Sequence, residues 1–152
     1  MIRPATNAEE AARVAESVMR ALPGWFGLEE PLREYVAAAA RLPTLVAVES
    51  DEAVGFATVK QQTRAAAEIV AMGVMPESHR RGIGRGLVDA AAEIVEDRTC
   101  LLQVKTLGPS HPSESYARTR AFYEALGFVP LEETTAFWGE ANPCLVMVKV
   151  LR

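Results

Sequence analysis

A mixed α+β fold, with four helices on a mostly antiparallel, twisted sheet of about seven strands, is what this sequence predicts. Three observations carry the prediction. Apolar residues switch between helical spacing and β-rich runs along the chain, giving the order βααβββαβαββ. The helix at 86–95 stands between two strongly apolar strands, 68–75 and 101–106, which calls for one parallel crossover. The runs at 45–50 and 53–60 are separated by a short polar turn, which makes them an antiparallel hairpin.

Residues 2–5 form a short first strand. Thr6, with Glu9 three places on, has the form of a capping box opening a helix to about Arg20. LPGWFG interrupts that pattern. Helical spacing resumes over 29–41, with Leu32, Tyr35 and Val36 on one side and Pro43 beyond the end. The hairpin follows, its turn around Ser50, Asp51 and Glu52. EIVAMGVM, residues 68–75, is nearly all apolar, as a central strand should be. After a glycine-rich segment, Leu87, Val88, Ala91, Ile94 and Val95 keep helical spacing, and LLQVKT is the next strand. LGPSHPSES is a polar loop before a helix at about 116–126, closed by Gly127. Strands around 128–137 and 145–151 finish the chain. No repeat, low-complexity tract or linker divides it, so one domain over residues 1–152 is expected.

At 152 residues, with 49% hydrophobic and 24% charged side chains, the composition is that of a globular protein with one core. A formal charge of -4 gives no global attraction for nucleic acid or anionic lipid, so neither is expected as a partner. Cys100 and Cys144 stand far apart and in no metal-ligand spacing; both read as free buried thiols, and no metal is expected. No apolar stretch nears the roughly 18 residues that span a bilayer. MIRPATNAEE lacks the regions of a signal peptide, which points to the cytoplasm.

HRRGIGRG, residues 79–86, packs three arginines and three glycines just before a helix. A Walker A loop would need a lysine that 82–88 lacks. A dinucleotide fingerprint would need glycine at position 87, which is leucine. What remains is Arg81-x-x-Gly84-x-Gly86 at a helix start, where free N–H groups and the helix dipole suit a pyrophosphate. Arg80, Arg81 and Arg85 add charge for it or a further phosphate. The plainer alternative is a solvated basic turn.

VMPESHRRGIGRGLV resembles the acyl-CoA-binding motif of the GNAT superfamily of N-acetyltransferases: Arg or Gln, two residues, Gly, one residue, then Gly or Ala. AFYEALGF, residues 121–128, is similar to that family's later helix-to-strand segment, and the element order agrees over essentially the whole chain. The resemblance implies a central parallel pair, EIVAMGVM and LLQVKT, splayed to form an acyl-CoA cleft. It implies acetyl-CoA as co-substrate, its pantetheine arm on the backbone of Met72, Gly73 and Val74. The pyrophosphate would lie on the amides of Arg81, Gly82, Ile83, Gly84, Arg85 and Gly86. Gly73 reads equally well as a bulge or bend in the sheet. Tyr116 stands where family members often carry an asparagine on the pantetheine arm, so that contact is either lost or made by a phenol.

An alkylammonium acceptor, with a pKa of about 10.4, must lose a proton before it attacks a thioester. The resemblance implies Glu68 as the base, acting through water, and Tyr123 as the group facing the leaving sulfur; the plainer readings are a solvated carboxylate and an aromatic packed beside Phe122. A strand N–H near residues 72–74 would donate to the carbonyl oxygen as it gains charge. His111 is an alternative base or an exposed loop residue, and Lys105, His111, Tyr116 and Arg120 are expected either to line the site mouth or to clasp the cofactor. Trp25 and Phe26 form either an aromatic lip for the acceptor or a seal between helices, with Glu29, Glu30 and Glu34 favouring a cationic amine. Trp138 covers the pocket or a dimer contact. The expected activity is transfer of acetyl to a primary amine of a small molecule. A peptide amine, a longer acyl group, an oxygen nucleophile, a non-catalytic acyl-CoA sensor and a homodimer stay open.

Overall fold

The computed structural model describes all of residues 1–152. It bears out the mixed α+β class: seven strands, in the order β1-β2-β3-β4-β5-β7-β6, form a mostly antiparallel sheet with one parallel pair, accompanied by four helices. The chain divides into two compact units, Met1–Lys60 with Ile69–Val95, and Gln61–Glu68 with Glu96–Arg152.

In the first unit β1 (Ile2–Pro4) pairs antiparallel with β2 (Thr44–Glu49), and β2 with β3 (Glu52–Gln61). Ser50 and Asp51 both take positive φ, 49° and 64°, the backbone that a two-residue hairpin turn of primed type requires. Helix α1 (Ala8–Arg20) buries Ala11, Val14, Ala15, Val18 and Met19, spaced three and four apart, against Leu32 and Ala39 of α2 (Glu29–Arg41). The cap of α1 lies one residue later than the sequence suggests. Asn7 accepts the N–H of Glu10 at 2.8 Å, and the Glu10 carboxylate takes the Thr6 N–H at 2.8 Å and a two-pronged contact from Arg3 at 2.8 and 2.9 Å. With Asn7 as the cap, the carboxylate three places on is Glu10 and not Glu9, and Arg3 holds it.

That cap is sensitive to acid. Arg3 first, then the Thr6 N–H, hold the Glu10 carboxyl down from 4.5 to about 2, and Arg20 does the same for Glu29. A carboxyl with a lowered folded pKa gives stability above its unfolded value and loses it as pH falls through the folded one. The melting temperature should therefore drop as pH goes from 4.5 to about 2. The drop should be shallower in Glu10→Gln, as calorimetry across that range would show.

In the second unit β5 (Leu101–Leu107) pairs antiparallel with β7 (Cys144–Val150), from Leu101 opposite Val150 to Leu107 opposite Cys144. β6 (Val129–Thr134) adds to β7 as an exposed edge, with Pro130 and an irregular register at 130–132 discouraging further pairing. Its end at Thr134 leaves Phe137 in the following turn and not in the strand. Helix α4 (Glu114–Ala125) begins two residues earlier than expected because Ser113 caps it, and Gly127, at φ 94°, ends it as anticipated. Gln61 ties the start of this unit to its later part. Its amide donates to Thr99 Oγ1 and the Thr63 carbonyl, both at 2.8 Å, and accepts from the Glu96 N–H at 3.2 Å. Gln61→Leu should cost about 1–3 kcal/mol by stranding those partners, measurable by urea unfolding.

Candidate functional site

Strand β4 (Ala66–Val74), which enters the first unit at Ile69, gives way to a single 3-10 turn at Pro76–Ser78 and then to the basic segment. Helix α3 runs Ile83–Ile94, three residues earlier than its apolar spacing suggests, so Gly84 and Gly86 lie in its first turn. Its cap is Gly82 at φ 79°, where a Cβ would meet nothing within 4 Å. The N–H groups of Arg81, Gly82, Ile83, Gly84 and Arg85 have no acceptor within the protein, as a helix start dictates. Gly86 departs from the expectation: its N–H donates to the Gly82 carbonyl at 3.0 Å. A Cβ there would also stand 2.7 Å from Ile2 Cδ1, which gives a packing reason for that glycine.

The arginines are held differently from one another. Arg81 reaches Glu49 Oε1 at 3.1 Å, an oxygen that also accepts from Ser78 Oγ at 3.2 Å. Arg80 sits at φ 66°, a left-handed backbone costing a non-glycine residue about 1–2 kcal/mol. His79 turns back on β4 instead of facing a phosphate. Its Nε2 lies 2.7 Å from the Val74 carbonyl, and its ring meets Trp25 edge-on at 6.4 Å. Gly73 admits helix α1, since a Cβ there would lie 3.0 Å from Leu22 Cδ1 and 3.1 Å from Val18 Cγ1. Trp25 and Phe26 pack partly buried on the α1–α2 core, Phe26 edge-on to Tyr35, and Glu29 is committed to Arg20 and Arg33.

In the second unit Glu68 is only 6% exposed, so the solvated alternative does not hold. One of its oxygens, Oε1, accepts from Gln62 Nε2 and Gln103 Nε2, each at 2.8 Å, and stands 3.4 Å from Lys105 Nζ. Lys105 lies 4.3 Å over the centre of the Phe137 ring. Buried Cys144 borders the cluster; burial pushes its thiol up to about 11, Lys105 opposing and Glu68 reinforcing, so it is no thiolate near neutrality. Strand alternation on β5 puts Gln103 and Lys105 on this face. Leu102, Val104 and Thr106 make the opposite, buried face.

Tyr123 of α4 is 7% exposed, between Phe122 and Phe128 at 5.3 Å from each. Burial above all, with Tyr116 adding to it, raises its phenol well above the usual range and keeps the proton on it. Two helical turns separate Tyr116 from Tyr123, so both lie on one face of α4. No hydrogen bond joins Tyr123 to Glu68. His111 is half-buried with its Nδ1 unpartnered, and it lines an open cavity of about 630 Å³ with Glu133 and Glu140. Ser110, through its hydroxyl and its N–H, holds the Glu133 carboxyl below its ordinary range.

Sequence reasoning misses Gln62, Gln103 and Glu49. Gln103 was within reach, because it sits two residues before Lys105 on a strand and so shares its face. Gln62 and Glu49 carry no motif and are brought in by pairing alone.

Residues 11–128 match the model of a family described as the acetyltransferase (GNAT) family. No curated protein matches the chain significantly. Among solved structures, an acetyltransferase assigned to the GNAT family from Desulfovibrio desulfuricans superposes with a TM-score of 0.85 at 20% identity, over 100% of this chain and 99% of that one. An aminoglycoside 6'-N-acetyltransferase complexed with coenzyme A gives 0.75 at 18%, over 100% and 97%. The ribosomal-protein-S18-alanine N-acetyltransferase of Escherichia coli gives 0.75 at 16%, over 99% and 93%. Identities this low carry the fold and leave the acceptor open.

Proposed function

We propose, from the premise that the chain belongs to the acetyltransferase (GNAT) family, that it moves acetyl from acetyl-CoA to a primary amine of a small molecule. The observation that carries the reading is the row of unpaired N–H groups from Arg81 to Arg85 around a left-handed Gly82. Such a row, at the positive end of a helix dipole and beside three arginines, fits a diphosphate. Met72, Gly73 and Val74 are assigned to the pantetheine arm. His79 already occupies the Val74 carbonyl, so pairing falls to the remaining main-chain groups there.

Glu68, through water, takes one proton from the acceptor ammonium, and the free amine then bonds to the acyl carbon. The carbon–sulfur bond breaks as Tyr123 gives its proton to the thiolate, and the phenolate recovers a proton as the former amine nitrogen sheds its second one. The environment supports both assignments: a carboxylate with one oxygen spoken for, and a phenol that burial keeps protonated.

Tyr123→Phe isolates the second role, because no protein group hydrogen-bonds the hydroxyl. Unfolding stability should change by under about 0.5 kcal/mol. A thiol leaves readily at a pKa of about 8.5, so kcat should fall only about tenfold. Thiol release from acetyl-CoA, measured over a panel of amines, tests the activity itself. Tight acetyl-CoA binding with no release, alike in wild type and Tyr123→Phe, would favour a non-catalytic sensor.

A further inference from the structure

We infer that Gln62 and Gln103 are positioning residues for the base, a role that rests on reading Glu68 as that base. Both amides converge on one atom, Glu68 Oε1, at 2.8 Å each, with Lys105 Nζ at 3.4 Å on the same oxygen. Oε2 makes no hydrogen bond within the protein. A carboxylate pinned through one oxygen cannot rotate freely, so its other oxygen has one direction in which to accept a proton. Fixing that direction removes a source of misalignment that catalysis does not tolerate.

The two glutamines come from different places. Gln62 follows β3 in the short connection to β4, and Gln103 projects from the middle of β5, so the carboxylate is braced from both sides. Neither is charged, so they hold the carboxylate without neutralising it. Lys105 on β5 and Cys144 on β7 are the charged and titratable groups that also face Glu68, and the thiol stays protonated until about 11.

The test is kinetic. Gln62→Met and Gln103→Met keep side-chain length and remove the donor. Each should lower kcat about tenfold and leave acetyl-CoA affinity by calorimetry within about twofold. In a Glu68→Gln background, Gln103→Met should cost nothing more, since a residue acting only through Glu68 has nothing left to act on. Equal losses in both backgrounds would overturn the positioning role alone. Wild-type turnover in Glu68→Gln would instead remove Glu68 as the base, and this inference with it.

Discussion

Glu68→Gln should lower kcat by about 100-fold, the low end of what general-base catalysis contributes, with acetyl-CoA affinity unchanged. The substitution keeps the shape of the side chain. Its amide oxygen can still accept from Gln62 and Gln103, so the brace around it survives; what disappears is an oxygen able to take a proton. Lys105 loses its anionic partner but keeps the Phe137 ring and about a quarter of its side-chain exposure, which limits the folding cost. Steady-state kinetics with an accepted amine, beside a melting curve, separates chemistry from stability. A kcat within threefold of wild type would falsify the assignment. It would also redirect attention to His111, whose half-buried ring and unpartnered Nδ1 make it the next candidate.

The elements that sequence places well are those written in local chemistry. Strand β4 is apolar almost throughout, the β2–β3 turn carries two residues that tolerate left-handed backbone, and Gly127 ends α4 where glycine alone is cheap. Boundaries drift where a remote partner decides. The cap of α1 is Asn7, where the side chain of Glu10 is also held by Arg3 of β1. Helix α3 starts at Ile83, under a left-handed Gly82 and ahead of its first apolar residue at helical spacing. The site shows the same division. The basic turn proposed to hold the diphosphate is legible because consecutive main-chain groups build it. The company of Glu68 is not, because Gln62, Gln103 and Lys105 meet it only once the strands have paired. Glycines mislead in a particular way: Gly73 and Gly86 read as openings for a ligand, yet each has a protein neighbour, Val18 and Leu22 for one and Ile2 for the other. A missing side chain records close approach without saying by what.

Gly84→Asp should abolish useful coenzyme A binding while leaving the fold as stable or slightly more so. Gly84 is the second residue of α3, within the first turn, where an acidic side chain interacts favourably with the dipole by about 0.3–1 kcal/mol. The same carboxylate can accept from the free N–H groups that a diphosphate would need. It also sets a negative charge beside the phosphates, and one such pair 4 Å apart opposes by about 4 kcal/mol at a near-surface dielectric. A rise in Kd of at least about 100-fold, some 2.7 kcal/mol, is thus a conservative expectation for calorimetry. Gly84→Ala adds bulk without charge, which makes it the control for crowding. Acetyl-pantetheine, which lacks the diphosphate, should be turned over alike by wild type and Gly84→Asp, because the acyl chemistry is assigned to residues in the second unit. Unaltered coenzyme A binding in Gly84→Asp would mean that the phosphates lie elsewhere. The unpaired amides of Arg81 to Arg85 would then be an ordinary helix start, and the basic turn an ordinary solvated one.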